Sequence, residues 1–194
     1  MALRARTETK LLDAADELFF RRGIAATPID AVIERAGVSA ATLYRGYPSK
    51  DALVAAALER RHRVWMETWD AALAAHHSPR ARLLAVFDAL DDFRAGAIGS
   101  RWCAFLGSAA EYADAPPEVA SAIHRDTDTM RDRLAELATT VDATRSAELA
   151  DQLVLVITGD LAMRLRSPAH TTATARGIAE ALVDAGGATA TPRA

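Results

Sequence analysis

Thr27, Ser39, Thr42, Tyr44, Arg45, Tyr47 and Lys50 gather hydroxyls and cations within residues 27–50. Such groups donate to phosphate oxygens, so the chemistry they suggest is recognition of an anionic backbone. Lys50 falls in the first turn of an expected helix, where a cation is disfavoured by about 0.3–1 kcal/mol. A phosphate at that site would reverse the sign, because the helix N–H groups and the ammonium would then act together. The alternatives are a solvated lysine, and a tyrosine that packs inside, for which Tyr47 is the better candidate.

Residues capable of covalent or metal chemistry lack partners. Cys103 is the single cysteine, so no resolving thiol or Cys-based zinc cluster exists, and a buried structural role fits it better. His76 and His77 are adjacent, as are Asp91 and Asp92, and neighbours on a helix do not share a face. There is no Gly-rich phosphate loop after a strand and no triad spacing. No enzyme, cofactor or metal is therefore expected.

The elements that must position these residues are helical. The chain has 194 residues, 45 of them alanine, with 6% aromatics and 51% hydrophobics, which favours helix and a buried core. Apolar residues recur at helical spacing between Gly, Pro and polar clusters. A first helix is predicted over residues 7–22, ended by Gly23. Thr27 is predicted to cap a second helix, with Pro28 in its first turn and Asp30 complementing its dipole. Gly37 interrupts, Ser39 caps a short third helix to about Tyr44, and residues 45–48 turn. Ser49 caps a long fourth helix reaching toward Ala75, and His76-His77-Ser78-Pro79 ends it. Later helices are predicted at about 80–95, 100–113, 117–140, 145–166 and 171–185, about nine in all, with breaks at residues 96–99, 115–117, near Asp142 and at Ser167-Pro168. The tail after Gly186-Gly187 reads as frayed.

Charge is uneven. Residues 1–63 carry 11 basic and 8 acidic side chains; the remainder carries 12 and 18, so a net of +3 and one of −6 sum to −3. A basic N-terminal part on an acidic body suits an anionic partner for that part alone. No apolar run approaches the roughly 18 residues of a membrane span, and no apolar signal core opens the chain, so a cytoplasmic protein is expected.

Helices two and three, joined through Gly37, make a helix-turn-helix arrangement. The stretch from Leu11 to Arg61 resembles the DNA-binding domain of the TetR family of transcriptional regulators, through Leu18-Phe19 with Gly23, Thr27, Ala36-Gly37-Val38-Ser39, Thr42-Leu43-Tyr44 and Pro48-Ser49-Lys50. Where the family usually has histidine and phenylalanine before the Pro-Ser-Lys, this chain has Gly46 and Tyr47. The resemblance implies an all-α fold, with a three-helix DNA-binding domain at 1–50 and a helical ligand-binding and dimerisation domain at 51–194. It implies that Thr27, Tyr44 and Lys50 hold phosphates, with Tyr47 beside them, and that Ser39, Ala40, Ala41, Thr42 and Arg45 face the groove. Two alanines give only apolar contact, so Arg45, the arm at Arg4 and Arg6, and DNA shape are left a larger share of recognition.

In the acidic body the segment from Cys103 to Tyr112 resembles one found in a subgroup of these regulators. The scarce aromatics Trp65, Trp69, Phe87, Phe93, Trp102, Phe105 and Tyr112 are candidates to line a ligand cavity, with His124 and Asp128 as polar contacts; the alternative is that they fill the core. Leu149, Leu153, Val156, Ile157, Leu161 and Leu165 give the eighth helix a wide apolar face, and Ile178, Leu182 and Val183 stripe the ninth. A dimer interface is expected at Leu153, Val156, Ile157, Gly159, Ile178 and Leu182, alternatively an internal core. The reading that results is a homodimeric regulator, a repressor released from a palindromic double-stranded operator by a small, mainly apolar ligand, with no membrane partner. The alternative is a ligand-binding or scaffolding dimer whose helix-turn-helix no longer reads DNA.

Overall fold

The computed structural model describes residues 3–99, 102–167 and 169–185. Among them the secondary structure is helical: α1 (Ala5–Arg22), α2 (Ile29–Ala36), α3 (Ala40–Gly46), α4 (Lys50–Ala74), α5 (Pro79–Ala95), α6 (Ala104–Glu111), α7 (Pro117–Thr139), α8 (Ser146–Arg166) and α9 (Ala173–Ala185). The expected all-α architecture is what the chain adopts. The tail after Gly186-Gly187 and Pro168 of the Ser167-Pro168 break lie outside the described residues.

Local signals set most boundaries. The side chains of Ser39, Ser49 and Ser78 accept from the N–H groups of Thr42, Ala52 and Ala81 at 3.2, 2.9 and 3.2 Å, starting α3, α4 and α5. Each such cap is worth about 1 kcal/mol over alanine. Gly37 ends α2 in the left-handed region, φ 63°, which only glycine enters without strain. One expected cap is corrected. Pro28, not Thr27, precedes α2, and Thr27 is buried with its hydroxyl donating to the carbonyls of Gly23 (2.7 Å) and Leu18 (3.2 Å). Helix α6 is also shorter than expected, starting after Cys103.

Two compact units form, Met1–Val64 with Ser100–Asp126, and Trp65–Gly99 with Thr127–Ala194. In the first, Leu11, Phe19, Phe20, Val32, Leu43, Leu53, Leu58 and Val119 make the core. Helix α4 runs unbroken past residue 50, and its first turns supply Leu53, Val54 and Leu58 to this core. A buried polar clamp adds to the apolar contacts: Asp16 of α1 accepts from Arg60 at 2.6 Å and Arg61 at 2.7 Å of α4. In the second unit Trp69, Phe87, Leu134, Leu149, Leu153 and Ile157 are buried together, and the Arg133 guanidinium lies 4.8 Å from the Trp69 ring.

Candidate nucleic-acid interface

Helix α3 is held by one side chain and presents the others. Leu43 is fully buried, while Ser39, Ala40, Ala41, Tyr44 and Arg45 are exposed and Thr42 is half-buried. Positions 40 and 44, and 41 and 45, are four apart, so they stack on one outward face. The hydroxyls of Ser39 and Thr42 lie 2.8 Å apart, which fixes both at the helix start. Arg45 stands outward with its fork of donors, a geometry suited to a base edge or a phosphate. Arg4 and Arg6 near the N-terminus are likewise exposed.

Three expected contacts sit differently. Thr27 spends its hydroxyl inside the domain, as described above. Lys50 donates from Nζ to the Ile24 carbonyl at 2.5 Å, and its ammonium lies 5.7 Å from the Phe19 ring centroid. It therefore ties the start of α4 to the turn between α1 and α2, rather than standing free in solvent. Tyr47 is 8% exposed. Burial and the adjacent Glu8, to which it hydrogen-bonds, push its phenol up to about 12, so it is a packed residue of the domain and not part of the outward face. Beside Gly46, the Leu3 side chain occupies the space that a Cβ would enter.

Residues 11–57 match the model of the bacterial regulatory proteins of the tetR family. This N-terminal segment is a TetR-family domain. Solved regulators of the family extend the likeness over the chain. SCO4454, a TetR-family transcriptional regulator from Streptomyces coelicolor, is 26% identical with a TM-score of 0.80, covering 93% of this chain and 88% of that one. A TetR-like transcriptional regulator from Rhodococcus sp. RHA1 is 25% identical with a TM-score of 0.73, covering 97% and 100%. A TetR-family regulator from Cytophaga hutchinsonii shares the fold at 14% identity, with a TM-score of 0.81 over 93% and 94%. No curated protein is significantly similar in sequence. Residues 11–57 thus match the family's N-terminal domain, and the chain as a whole shares the fold of these solved regulators.

The residues expected to sense a ligand are dispersed. In the second unit Trp65, Trp69 and Phe87 are core residues; Trp65 meets Trp69 at 5.4 Å and Phe93 edge-on at 5.8 Å. In the first unit Trp102 packs against Gly107, Phe105 meets His62 edge-on at 6.4 Å, and Tyr112 donates to Asp51 at 2.7 Å. His124 and Asp128 are exposed on α7. None of these nine residues lines the cavity of about 200 Å³ bounded by Glu59, His62, Arg63, Ala122 and Arg125. That lining is charged: Arg125 pairs with Glu59 at 3.1 Å, and His62 Nδ1 meets Asp126 at 2.9 Å. Sequence reasoning missed this site because its charged residues look, one by one, like a solvated helix face. Burial pushes the thiol of Cys103 up, which leaves it a poor nucleophile.

The apolar face of α8 also divides. Leu153 and Ile157 are fully buried in their own unit, and Val156 and Leu182 pack partly against that core, so the first two are internal residues rather than an outer surface. The outward apolar residues are Leu155 (73% exposed) and Ile178 (49%), with Met163 and Leu165. A Cβ added at Gly159 or Gly177 would meet nothing within 4 Å. The sequence places Leu155 at the margin of the apolar face of the eighth helix, and only packing separates it, exposed, from the buried Leu153 and Ile157. Among the described residues no helix is long and apolar enough to cross a membrane.

Proposed function

We propose that this regulator is a cytoplasmic homodimeric repressor released from a palindromic operator by a small effector. In this reading residues 1–50 read DNA, and residues 51–194 sense and dimerise. The observation that carries it is the outward face of α3, with Tyr44 and Arg45 exposed beside the Ser39–Thr42 start of the helix. Tyr44 and the arm at Arg4 and Arg6 take phosphates, and Arg45 takes the chief polar contact to a base edge.

Exposed Leu155 and Ile178, with open space at Gly159 and Gly177, support pairing of α8 and α9 with their copies. Such a two-fold dimer spaces its reading helices at about one helical turn of DNA or a multiple. The charged cavity beside α4 favours a polar or anionic effector over the mainly apolar one expected from the aromatics. Glu59, His62 and Arg63 on its wall adjoin Arg60 and Arg61, which grip Asp16 of α1. An effector there releases DNA only if it binds the DNA-incompetent arrangement more tightly.

The internal engagement of Thr27 and Lys50, with alanines at 40 and 41, favours a second reading in which the domain no longer reads DNA. Selection of duplexes from a random pool decides between them. Enrichment of a two-fold symmetric sequence, lost with Arg45→Ala, supports the repressor; no enrichment supports the second reading.

A further inference from the structure

Glu111 ends α6 and reaches a turn 87 residues earlier in the chain. Its Oε1 accepts from the Ile24 N–H at 3.1 Å and its Oε2 from the Ala25 N–H at 2.8 Å. The turn is formed by Gly23, φ 99°, and a Cβ there would sit 3.5 Å from the same carboxylate. On the other side of Ile24, its carbonyl takes the Lys50 ammonium. A carboxylate from α6 and an ammonium from α4 thus hold one residue of the turn by both of its peptide groups. The next side chain, Tyr112, donates to Asp51 in the first turn of α4. Two consecutive residues at the end of α6 therefore fix the elements that flank α2 and α3 in sequence.

We propose that Glu111 is a positioning residue for DNA reading. Its carboxylate sets the α1–α2 turn, and through it the entry of α2 and the presentation of α3. Charge-assisted bonds from backbone N–H groups are strong and directional, so the turn is held more firmly than by water. The inference rests on the DNA-reading function proposed above. Being anionic, Glu111 cannot itself hold a phosphate, so its effect must pass through the turn.

That anionic character separates positioning from two other effects. Removing a negative charge raises affinity for every duplex alike. A loss of folded protein lowers it for every duplex alike. A misplaced α3 alone lowers the ratio of affinity for the preferred sequence to affinity for random DNA.

The test uses the whole 194-residue chain, a duplex selected by the wild-type protein, and a random duplex of equal length. Glu111→Ala is expected to lower the specificity ratio about tenfold, the equivalent of one lost strong hydrogen bond. Glu111→Gln, which keeps one acceptor oxygen, is expected to retain part of it. Hydrogen exchange, which needs no DNA, should show slow Ile24 and Ala25 amides in the wild-type protein and faster ones in Glu111→Ala. An unchanged ratio overturns the proposal, and so does unchanged exchange at both amides. A wild-type protein with no sequence preference overturns the DNA-reading function instead, and the exchange result then still judges the hold on the turn.

Discussion

Replacing Asp16 by alanine should cost far more stability than replacing Asp13, although both bind the same arginine. The Asp16 side chain is 7% exposed and receives Arg60 at 2.6 Å and Arg61 at 2.7 Å, the latter itself 3% exposed. Asp13 also meets Arg60 at 2.6 Å but is 63% exposed. Removing the shared buried anion deprives two guanidiniums of a carboxylate in a place water cannot fill, a loss of about 3–5 kcal/mol. The exposed partner contributes about 0–1 kcal/mol. Set against a typical total of about 5–15 kcal/mol, the first loss is large and the second barely measurable. At about 2–4 °C per kcal/mol for a chain of this size, Asp16→Ala should lower Tm by about 6–20 °C. Urea and thermal unfolding followed by circular dichroism give both values. Asp16→Leu combined with Arg61→Met should recover part of the loss, because the second buried charge leaves with the first, while Arg60 keeps Asp13. Equal losses for Asp16→Ala and Asp13→Ala would refute the claim that burial makes this clamp strong.

Three further outcomes follow from the packing and the exposed faces. Trp69→Ala empties a fully buried site under Arg133 and should cost about 3–5 kcal/mol in denaturation, so it acts on the fold and not only on ligand response; a loss below about 1 kcal/mol contradicts the filled core. Tyr47 has its pKa raised to about 12 by burial and by Glu8, and Tyr112 is raised by burial and by Asp51. A raised folded value means the stability these phenols lend is complete below pH about 10 and drains away as pH climbs toward 12, because the unfolded chain ionises first. Absorbance titration at the phenolate band should show a late phase that Tyr47→Phe and Tyr112→Phe each reduce; ionisation of both at the ordinary value would count against their burial. Leu155→Glu places a charge on the most exposed apolar residue of α8 and should shift sedimentation from two chains toward one; an unchanged mass removes this face from the interface.

The parts of the structure that were legible in the sequence are those fixed by neighbours in the chain. Ser39 and Ser49 announce their helices because a hydroxyl three residues before an orphan N–H has one obvious use, and Ser78, read only as part of a break, caps α5 in the same way. Gly37 marks its turn for an equally local reason. Thr27 carried the same signal and misled, since Pro28 took the cap position and the hydroxyl turned back to Gly23 and Leu18. The outward set on α3 was readable through the resemblance to the TetR family, and in the structure Leu43 is the side chain of the helix that is fully buried. Lys50 and Glu111 were not readable in their actual roles, since their partners Ile24 and Ala25 are brought near only by packing of α1, α4 and α6, whereas the packed role of Tyr47 was one of the two the sequence offered. The aromatics failed for a different reason. A large ring serves a core or a cavity equally well, and only the fit of its neighbours decides.

The central claim is that α3 reads DNA, and one titration reaches it directly. Fluorescence anisotropy of the purified protein is followed against labelled DNA from upstream of its own gene and against a random duplex, at two salt concentrations. The account predicts tighter binding to the upstream DNA, weakening steeply with salt as phosphate contacts release counterions, by about 0.9 in log K per log salt for each phosphate neutralised. Equal, weak binding to both duplexes with little dependence on salt would contradict it.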